Sequence, residues 1–303
     1  MSSNDISIKS EELRKKNNEI CLCKAGNFSK TGFWHYSSID NINKILKTKS
    51  FVLGSLNNVN DNNEKRICGK KDIFLHTLCF CNSDSEKIPM WYLYSGILGK
   101  GASVGITPLN MTSLIKNIKT KVCAYDIFEK KEICELKKCE YELQYGWTFY
   151  RKTSEKNKIK YKNKWYEITE GADVFENKNY FVKDYPWEYE KEFRIIIENK
   201  SKKPYNHLKI NIPDDVYENL KIRLAPELSE DEINEVLHKD GFEELLSKKL
   251  IKSDLQISMG ILNKNKKELQ TYLKNAECDD EVKRYICKII KDTSCDMHCK
   301  SGE

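Results

Sequence analysis

The fold is decided by residues 32–53, which read GFWHYSSIDNINKILKTKSFVL. Residues 32–36 are rich in aromatic side chains and predict a strand. Ser37 is of a residue type that begins helices well, and the isoleucine and leucine residues after it recur at helical spacing, which predicts a helix. Residues 51–53 predict a second strand. This order of strand, helix and strand indicates a sheet and a helix that share one core.

Four later segments extend the same pattern. They are a strand at 73–80, a short helix opened by Pro89, a strand at 102–106 and a strand at 190–198 that contains three consecutive isoleucines. Proline suits the first turn of a helix, and runs of β-branched residues favour strands. The sequence therefore predicts an α+β fold with a single compact core sheet, mixed or antiparallel, and peripheral helices.

The two ends of the chain are more polar than this central part. We expect an N-terminal helical extension over 1–30, an α+β core domain over 31–260 and a C-terminal helical tail over 261–303. Within the core domain, a basic insertion is expected around 130–180. One decorated domain is the simplest arrangement for a chain of this length.

The composition indicates a folded protein outside the membrane. Of the 303 residues, 39% are apolar and 32% charged, and an aromatic content of 11% argues against intrinsic disorder. No apolar run approaches the roughly 18–20 residues that span a bilayer. The N-terminus lacks the charged-then-apolar pattern of a secretory signal. We therefore expect a cytoplasmic protein with no membrane partner.

Five short motifs follow one another in order over about the first two thirds of the chain. They are WHYS at 34–37, NDNNE at 60–64, CFC at 79–81, MWYLY at 90–94 and PWEYEKEFR at 186–194. Together they resemble the prokaryotic domain-of-unknown-function family DUF2971. The loop at 60–64 departs from the family pattern, because it lacks a proline and an aromatic residue. This resemblance names no reaction, so the function has to be inferred from the residues.

The histidine and tyrosine of the first motif are candidate ligand-binding residues. A His-Tyr pair on an early strand, followed by a capped helix and a second strand, is similar to the start of ADP-ribosyltransferase folds. The resemblance implies that His35, Tyr36 and Ser37 bind NAD, with His35 on the nicotinamide-side ribose and Tyr36 against the nicotinamide ring. An imidazole exchanges hydrogen bonds with a hydroxyl, and an aromatic face attracts a cationic ring. The structural alternative is a half-buried histidine and a core tyrosine.

Trp91 and Tyr94 are candidates for a further wall of the same pocket. They stand at positions i and i+3 and therefore lie on one face of the predicted helix. We expect them to flank a nicotinamide or a base; the alternative is that both pack in the core. Tyr94 is the stronger pocket candidate, because its hydroxyl needs a hydrogen-bond partner.

Three glutamates alternate in the last motif. Glu188, Glu190 and Glu192 are two residues apart, so in a strand they project from one face together with Arg194. The resemblance to ADP-ribosyltransferases implies that Glu192 is the catalytic carboxylate and Glu190 its helper, while Arg194 orients the carboxylates or a phosphate. Such a carboxylate would stabilise the cation that forms when the bond between nicotinamide and ribose breaks. The alternative is an exposed charged strand edge.

Basic and aromatic residues are interleaved from 151 to 167. Seven basic and two acidic residues occur in this strip, although the net charge of the whole chain is only +6. A groove for single-stranded nucleic acid requires cations that follow the phosphates and rings that stack on the bases. We therefore name Lys158, Lys160, Lys162 and Trp165 as candidate nucleic-acid-binding residues. A solvated lysine-rich loop is the alternative.

The chain contains twelve cysteines. In a cytoplasmic protein a disulfide framework is not expected, and small buried thiols are the favoured interpretation. Cys295, His298 and Cys299 come closest to a zinc-ligand cluster, but they lack the paired ligand spacing that structural zinc sites use. The sequence therefore does not predict a zinc site.

These residues favour an NAD-dependent, ADP-ribosyltransferase-like enzyme that acts as a toxin or phage-defence effector. NAD would be its substrate, and a base of DNA or RNA its acceptor. One alternative is a metal-dependent nuclease with Asp126, Glu129 and Lys131 in its site. The other is a non-catalytic module that binds nucleic acid or acts as a sensor.

Overall fold

The computed structural model divides the chain into two units, Met1–Lys252 and Ser253–Glu303. The described residues all lie in the first unit and are 6–8, 32–56, 74–82, 86–95, 100–152, 158–161, 164–168, 180–201, 203–237 and 250. Most of the expected N-terminal extension and the whole expected C-terminal tail lie outside them. Within that extension, Ile6–Ile8 (β1) forms a strand.

Ten strands of the described residues form the larger of two sheets, and each pairing in it is antiparallel. They are β2 (Phe33–Ser37), β3 (Ser50–Ser55), β4 (Leu75–Asn82), β5 (Ala102–Ile106), β6 (Cys123–Asp126), β7 (Lys131–Glu135), β8 (Tyr141–Trp147), β13 (Glu192–Asn199), β14 (His207–Asn211) and β15 (Lys221–Leu224). Their spatial order is β15-β5-β2-β4-β3-β14-β6-β7, with β13 joined to β4 and β8 joined to β13. The predicted strands at 32–36, 51–53, 73–80 and 102–106 are confirmed to within a few residues.

Five α-helices occur in the described part of the chain, and none of them is long and apolar enough to cross a membrane. They are α1 (Ile39–Thr48), α2 (Ile88–Tyr94), α3 (Pro108–Ile118), α4 (Asp214–Glu218) and α5 (Glu230–Leu237). α1 buries the isoleucine and leucine stripe that predicted it. Its N-cap is Ser38, whose Oγ accepts the backbone N–H of Asn41 at 3.3 Å. The predicted cap, Ser37, is one residue too early because it still belongs to β2.

The expectation of a single sheet was wrong, because the basic strip helps to form a second one. Its strands are β1, β9 (Phe149–Arg151), β10 (Lys158–Tyr161), β11 (Lys164–Ile168) and β12 (Val182–Asp184), in the spatial order β1-β11-β10-β9-β12. One face of this smaller sheet is apolar, and its buried side chains form a hydrophobic cluster with Leu75 and Ile196 of the larger sheet. The α+β class is confirmed as a large antiparallel sheet that shares a core with a small mixed sheet.

The larger sheet forks at β4. One edge of β4 pairs with β13 over residues 75–81. The other edge pairs with β2 at only two positions, Phe33–Asn82 and Trp34–Cys81. It pairs with β3 at only two positions as well, Gly54–Thr77 and Ser55–His76. Between these contacts, residues 78–80 have no strand partner on that edge among the described residues. β2 continues into a ladder with β5, and β3 into a ladder with β14, so two arms leave β4 and enclose a gap.

Gly101 holds the end of α2 against the end of β2. A Cβ at this position would lie 1.6 Å from the carbonyl oxygen of Ser95 and 2.5 Å from that of Ser37. Both oxygens belong to the backbone and cannot rotate away, so this close approach requires a residue without a side chain. Gly101 therefore fixes where α2 ends, and Tyr94 is the last residue of that helix.

We expect Gly101→Ala to lower the free energy of unfolding by about 3 kcal/mol, because the added methyl group must displace backbone rather than side chains. The matched control is Gly54→Ala, where nothing lies within 4 Å of the added atom. That variant should be as stable as the wild type or slightly more stable, because alanine loses less backbone entropy on folding. Urea unfolding followed by circular dichroism measures both, and equal stability of the two variants would contradict the close packing around Gly101.

Candidate active site

A cavity of about 320 Å³ lies at the fork of the larger sheet. Its lining residues are 34–36 of β2, Val52 and Gly54 of β3, 77–81 of β4, Met90 and Tyr94 of α2, and the charged residues Lys183, Glu190, Glu192 and Arg194. The three predicted catalytic residues therefore line the same cavity as three of the predicted NAD-binding residues, His35, Tyr36 and Tyr94.

The two cavity glutamates come from different elements. Glu190 is the last residue of a 3₁₀ helix, Tyr185–Glu190, and Glu192 is the first residue of β13. The expected alternation of Glu188, Glu190 and Glu192 along one strand was wrong, because a proline in the first turn opens this helix before the strand begins. Lys191 between them is left-handed, with φ 42° and ψ 54°. This turn directs both carboxylates into the cavity.

A buried ion cluster connects the two sheets. Lys183 Nζ, from β12 of the smaller sheet, lies 2.5 Å from Glu190 Oε2 and 3.3 Å from Glu192 Oε2. Arg194, from β13 of the larger sheet, donates from Nη2 to Glu192 Oε2 at 2.8 Å. None of the four side chains is more than 7% exposed. Two cations and two carboxylates balance in charge, which a buried ionic cluster requires because each isolated ion would be costly to desolvate.

The environment separates the pKa values of the two carboxylates. Burial raises the pKa of Glu190 above its usual value, and Lys183 only partly opposes this effect. Burial acts in the same direction on Glu192, but Arg194 and Lys183 together hold the pKa of Glu192 well below its usual range. Glu192 is therefore ionised at neutral pH, and Glu190 is the stronger base of the pair. Pairs of carboxylates with separated pKa values are typical of catalytic acid–base sites.

Two hydroxyl groups donate to the carboxylates, and a third accepts a hydrogen bond from the backbone of Glu192. Tyr94 donates its phenolic hydrogen to Glu190 Oε1, and Thr148 donates to Glu192 Oε2 at 3.4 Å. The hydroxyl oxygen of Tyr150 accepts the backbone N–H of Glu192 at 2.8 Å. Burial raises the pKa of Tyr94 and Tyr150, so both phenols keep their hydrogens.

Lys183, Thr148 and Tyr150 were not predicted from the sequence. Thr148 and Tyr150 lie more than forty residues from Glu192 along the chain, and no local pattern connects such positions. Lys183 offered one signal: it follows the apolar run Tyr180 to Val182 and precedes the Pro-Trp motif. A lysine in an apolar strand is rarely buried without a charged partner.

His35 lies in the gap of the fork. A carbonyl oxygen can only accept, so the imidazole Nδ1–H donates to Cys79 O at 2.9 Å, in the part of β4 for which the described residues provide no strand partner on this side. The ring also lies edge-on to Phe51, with centroids 5.9 Å apart. Burial lowers the pKa of His35, although the bond to Cys79 opposes this. The imidazole is therefore neutral, and Nε2 is left as an acceptor.

Of the remaining residues predicted to bind NAD, Tyr36 lines the cavity, whereas Trp91 and Ser37 do not. Tyr36 meets Trp91 edge to face, with ring centroids 4.8 Å apart. Trp91 is buried in the core and donates from Nε1 to Glu86 Oε2 at 3.2 Å. The Ser37 hydroxyl instead accepts a hydrogen bond from the side chain of Asn41. Of Trp91 and Tyr94, only Tyr94 lines the cavity, together with Met90 one turn earlier, whereas Trp91 faces the core.

A second buried ion pair positions α2. Arg223 Nε on β15 lies 3.4 Å from Glu86 Oε1, just before α2 begins. The guanidinium of Arg223 also lies over the Trp34 ring, 3.9 Å from its centroid. Glu86 therefore joins Arg223 to Trp91, and this connection holds the helix that carries Tyr94 against β2. Neither Glu86 nor Arg223 was predicted from the sequence, because their partners lie in distant elements.

The cysteines of the cavity, half-buried Cys79 and buried Cys81, have no nucleophilic character. Burial raises the pKa of Cys79 and raises that of Cys81 to about 12. Both residues are free cysteines, and a thiol with a raised pKa is unreactive. Cys295, His298 and Cys299 lie outside the described residues. Among those that are described, no group of three or more His, Cys, Asp or Glu side chains is placed to hold a metal ion.

The residues of the alternative nuclease site lie away from the cavity, at the turn between β6 and β7. Asp126 Oδ1 accepts the backbone N–H groups of Phe128 and Glu129 at 2.9 and 3.0 Å. Lys131 forms an exposed ion pair with Glu129. Asp126 therefore closes the turn, which is the structural role that aspartate commonly has in such loops.

The candidate nucleic-acid-binding residues belong to the smaller sheet. Lys158 and Lys160 lie on β10, and Trp165 lies on β11. They do not line the cavity. Lys162 lies outside the described residues.

Comparisons with protein-family models, with curated proteins and with solved structures find no match for this chain. The resemblances to DUF2971 and to ADP-ribosyltransferase folds therefore stay predictions. The function has to be inferred from the geometry and charges of the cavity.

We expect Lys191→Gly to be more stable than the wild type by up to about 1 kcal/mol, because glycine adopts the left-handed conformation without strain. Lys191→Val should be less stable by about 1–2 kcal/mol, because a β-branched residue fits this conformation poorly. Lys130 is also left-handed, with φ 53°, so its valine variant is a matched control outside the cavity. Chemical unfolding measures the stability of all three variants. If Lys191→Gly is less stable than the wild type, the left-handed backbone at residue 191 is not strained.

The contribution of Glu192 to the stability of the folded protein should decrease as the pH falls. Its pKa is lower in the folded protein than in the unfolded chain, so its contribution to the free energy of unfolding is complete above about pH 5 and declines as the pH falls through about 4.3. The difference in stability between wild type and Glu192→Gln should therefore shrink on acidification, by at most about 1.4 kcal/mol per pH unit. Glu190, whose raised pKa acts in the opposite direction, is present in both proteins.

Urea unfolding of both proteins between pH 3 and pH 7 tests this expectation. Glu142→Gln is the control, because Glu142 is an exposed carboxylate paired with Lys200 and should show a much weaker dependence. A difference between wild type and Glu192→Gln that stays constant over this range would mean that Glu192 is not held ionised by Lys183 and Arg194.

Proposed function

We propose that the cavity binds NAD and cleaves the bond between nicotinamide and ribose, so that ADP-ribose is transferred to an acceptor. The observation that carries this proposal is the pair Glu190 and Glu192, two buried carboxylates with separated pKa values that share one ammonium group. His35, Tyr36 and Tyr94 line the same cavity. This combination suits the stabilisation of a cation next to a base, which cleavage of a ribosyl bond requires.

The charges of the site match the steps of the reaction. The C–N bond breaks with its electron pair on nitrogen, so the cationic nicotinamide ring leaves as a neutral molecule and positive charge develops at C1′ of the ribose. The ionised carboxylate of Glu192 stabilises this charge. The acceptor then forms a bond to C1′ and loses a proton to Glu190, which is the stronger base of the two carboxylates.

The remaining residues orient the substrate. His35 Nε2 accepts a hydrogen bond from a ribose hydroxyl, because Nδ1 is already committed to Cys79. Tyr36 and Tyr94 provide aromatic surfaces for the nicotinamide ring. A cavity of about 320 Å³ is at the small end of ligand pockets, and it suits the nicotinamide and its ribose rather than the whole dinucleotide. Modification of a cellular acceptor in this way suits a cytoplasmic toxin or phage-defence effector.

We expect purified protein to release nicotinamide from NAD, and Glu192→Gln to do so at least about 100-fold more slowly, the loss typical of removing one electrostatic stabiliser of a transition state. NAD binding by calorimetry should be largely retained, because glutamine keeps the shape of the side chain. Glu142→Gln serves as the control and should react like the wild type. Near-ultraviolet circular dichroism checks the folding of each variant, and Glu190→Gln provides a second test if Glu192→Gln does not fold.

Two results would refute this function. One is the absence of heat on titration of the wild type with millimolar NAD. The other is nicotinamide release at equal rates by wild type, Glu192→Gln and Glu190→Gln, since the carboxylates would then have no part in the reaction.

A further inference from the structure

One face of the smaller sheet connects the cavity with a group of half-buried basic and aromatic side chains. Lys183 of β12 pairs with Tyr150 of β9, Tyr150 pairs with Lys160 of β10, and Lys160 pairs with Trp165 of β11. Residues that are directly opposite in neighbouring strands project from the same face of a sheet. These four side chains therefore form a row across four strands.

Burial supports this assignment of the two faces. The residues that alternate with the row, such as Phe149, Ile159 and Tyr166, are buried in the cluster shared with the larger sheet. At one end of the row, Lys183 contacts the carboxylates of the cavity. At the other end, Trp165 is only half-buried. The row thus begins at the cavity with the buried side chains of Lys183 and Tyr150 and ends at the half-buried ring of Trp165.

The outer end of the row combines aromatic rings with ammonium groups. The rings of Trp165 and Tyr185 lie 5.3 Å apart, centroid to centroid. Lys152 Nζ lies 4.9 Å from the centroid of Trp165, and Lys160 Nζ lies 5.1 Å from that of Tyr185. Lys160 Nζ is also 3.4 Å from Glu188 Oε1, which keeps it beside the rings. Rings for bases beside cations for phosphates are the surface that single-stranded nucleic acid requires.

The 3₁₀ helix Tyr185–Glu190 connects this surface to the cavity. Tyr185 stands at the aromatic end and Glu190 at the cavity end. Its six residues rise by about 2 Å each, so the two ends are about 10 Å apart. A few nucleotides span this distance. A strand held on Trp165 would therefore bring a nucleotide a few positions along to the residues of the cavity.

Lys158 lies two residues before Lys160 on β10 and therefore projects from the same face. We propose that Lys152, Lys158, Lys160, Trp165 and Tyr185 form a binding surface for single-stranded nucleic acid, and that this strand is the acceptor of the ADP-ribose. The second part rests on the proposed function; the binding surface does not. A base of the strand supplies the nucleophile that forms the bond to C1′, and its proton passes to Glu190.

The binding surface is tested without NAD, by fluorescence anisotropy of labelled single-stranded RNA and DNA dodecamers. Trp165→Ala should weaken binding about 10-fold, which is within the range found for loss of one stacked base. Trp165→Phe retains a ring and should stay close to the wild type. The double variant Lys152→Gln, Lys158→Gln should make the salt dependence shallower by about 1.4 in slope, since each phosphate contact on a single strand contributes about 0.7.

A matched control removes two lysines elsewhere. Lys44→Gln with Lys116→Gln makes the same change of charge on the exposed faces of α1 and α3, and its salt slope should equal that of the wild type. Failure of the wild type to bind either dodecamer at low salt would overturn the binding surface. So would equal affinities of Trp165→Ala and Trp165→Phe in folded proteins.

The acceptor is tested separately, with labelled NAD and a mixture of dodecamers and cell lysate. Label on the dodecamers supports the proposal. Label only on proteins, with NAD consumed, would overturn the acceptor and leave the proposed function intact. If the wild type consumes no NAD but binds dodecamers through Trp165, the proposed function fails while the binding surface stands.

Discussion

The buried ammonium group of Lys183 is the interaction on which the rest of the structure depends. It comes from the smaller sheet and contacts two carboxylates that lie at and beside the start of β13 in the larger sheet. If the sheets separated, Arg194 alone would have to balance two buried carboxylates. An unbalanced buried charge costs several kcal/mol, so the relative position of the two sheets and the geometry of the cavity are stabilised together.

The fork of the larger sheet is the second constraint. A strand edge inside a protein normally pairs with another strand, because unpaired backbone groups are costly to bury. At the fork, β2 and β3 diverge. The imidazole N–H of His35 donates to the carbonyl oxygen of Cys79, in place of the backbone N–H of a neighbouring strand. A side chain that replaces a backbone partner leaves space beside it. That space is the cavity, and the residues that close it come from α2 and from the 3₁₀ helix.

Electrostatics then distinguishes two carboxylates that are close in sequence and in space. Glu192 has Arg194 as a partner of its own, whereas Glu190 shares Lys183 and accepts a hydrogen bond from a neutral tyrosine, Tyr94. One carboxylate is held ionised and the other is the stronger base. The proposed ribosyl transfer is based on these two properties at one site, whereas the residues of the metal-dependent alternative close an exposed turn.

The sequence by itself determined the local elements. The aromatic run before α1, the proline that opens α2 and the isoleucine run after Arg194 predicted β2, α2 and most of β13, because residue preferences and apolar periodicity act over a few neighbouring positions. Only the tertiary structure decided that there are two sheets and that Trp91 packs in the core. It also decided that Lys183 lines the cavity, while Tyr150 and Arg223 hold its neighbours in place. These outcomes depend on which distant strands pair and in which register, and on a left-handed turn at Lys191, a residue with no preference for that conformation. Nothing local in a sequence encodes such pairings, because they are selected by the burial and charge balance of the whole fold.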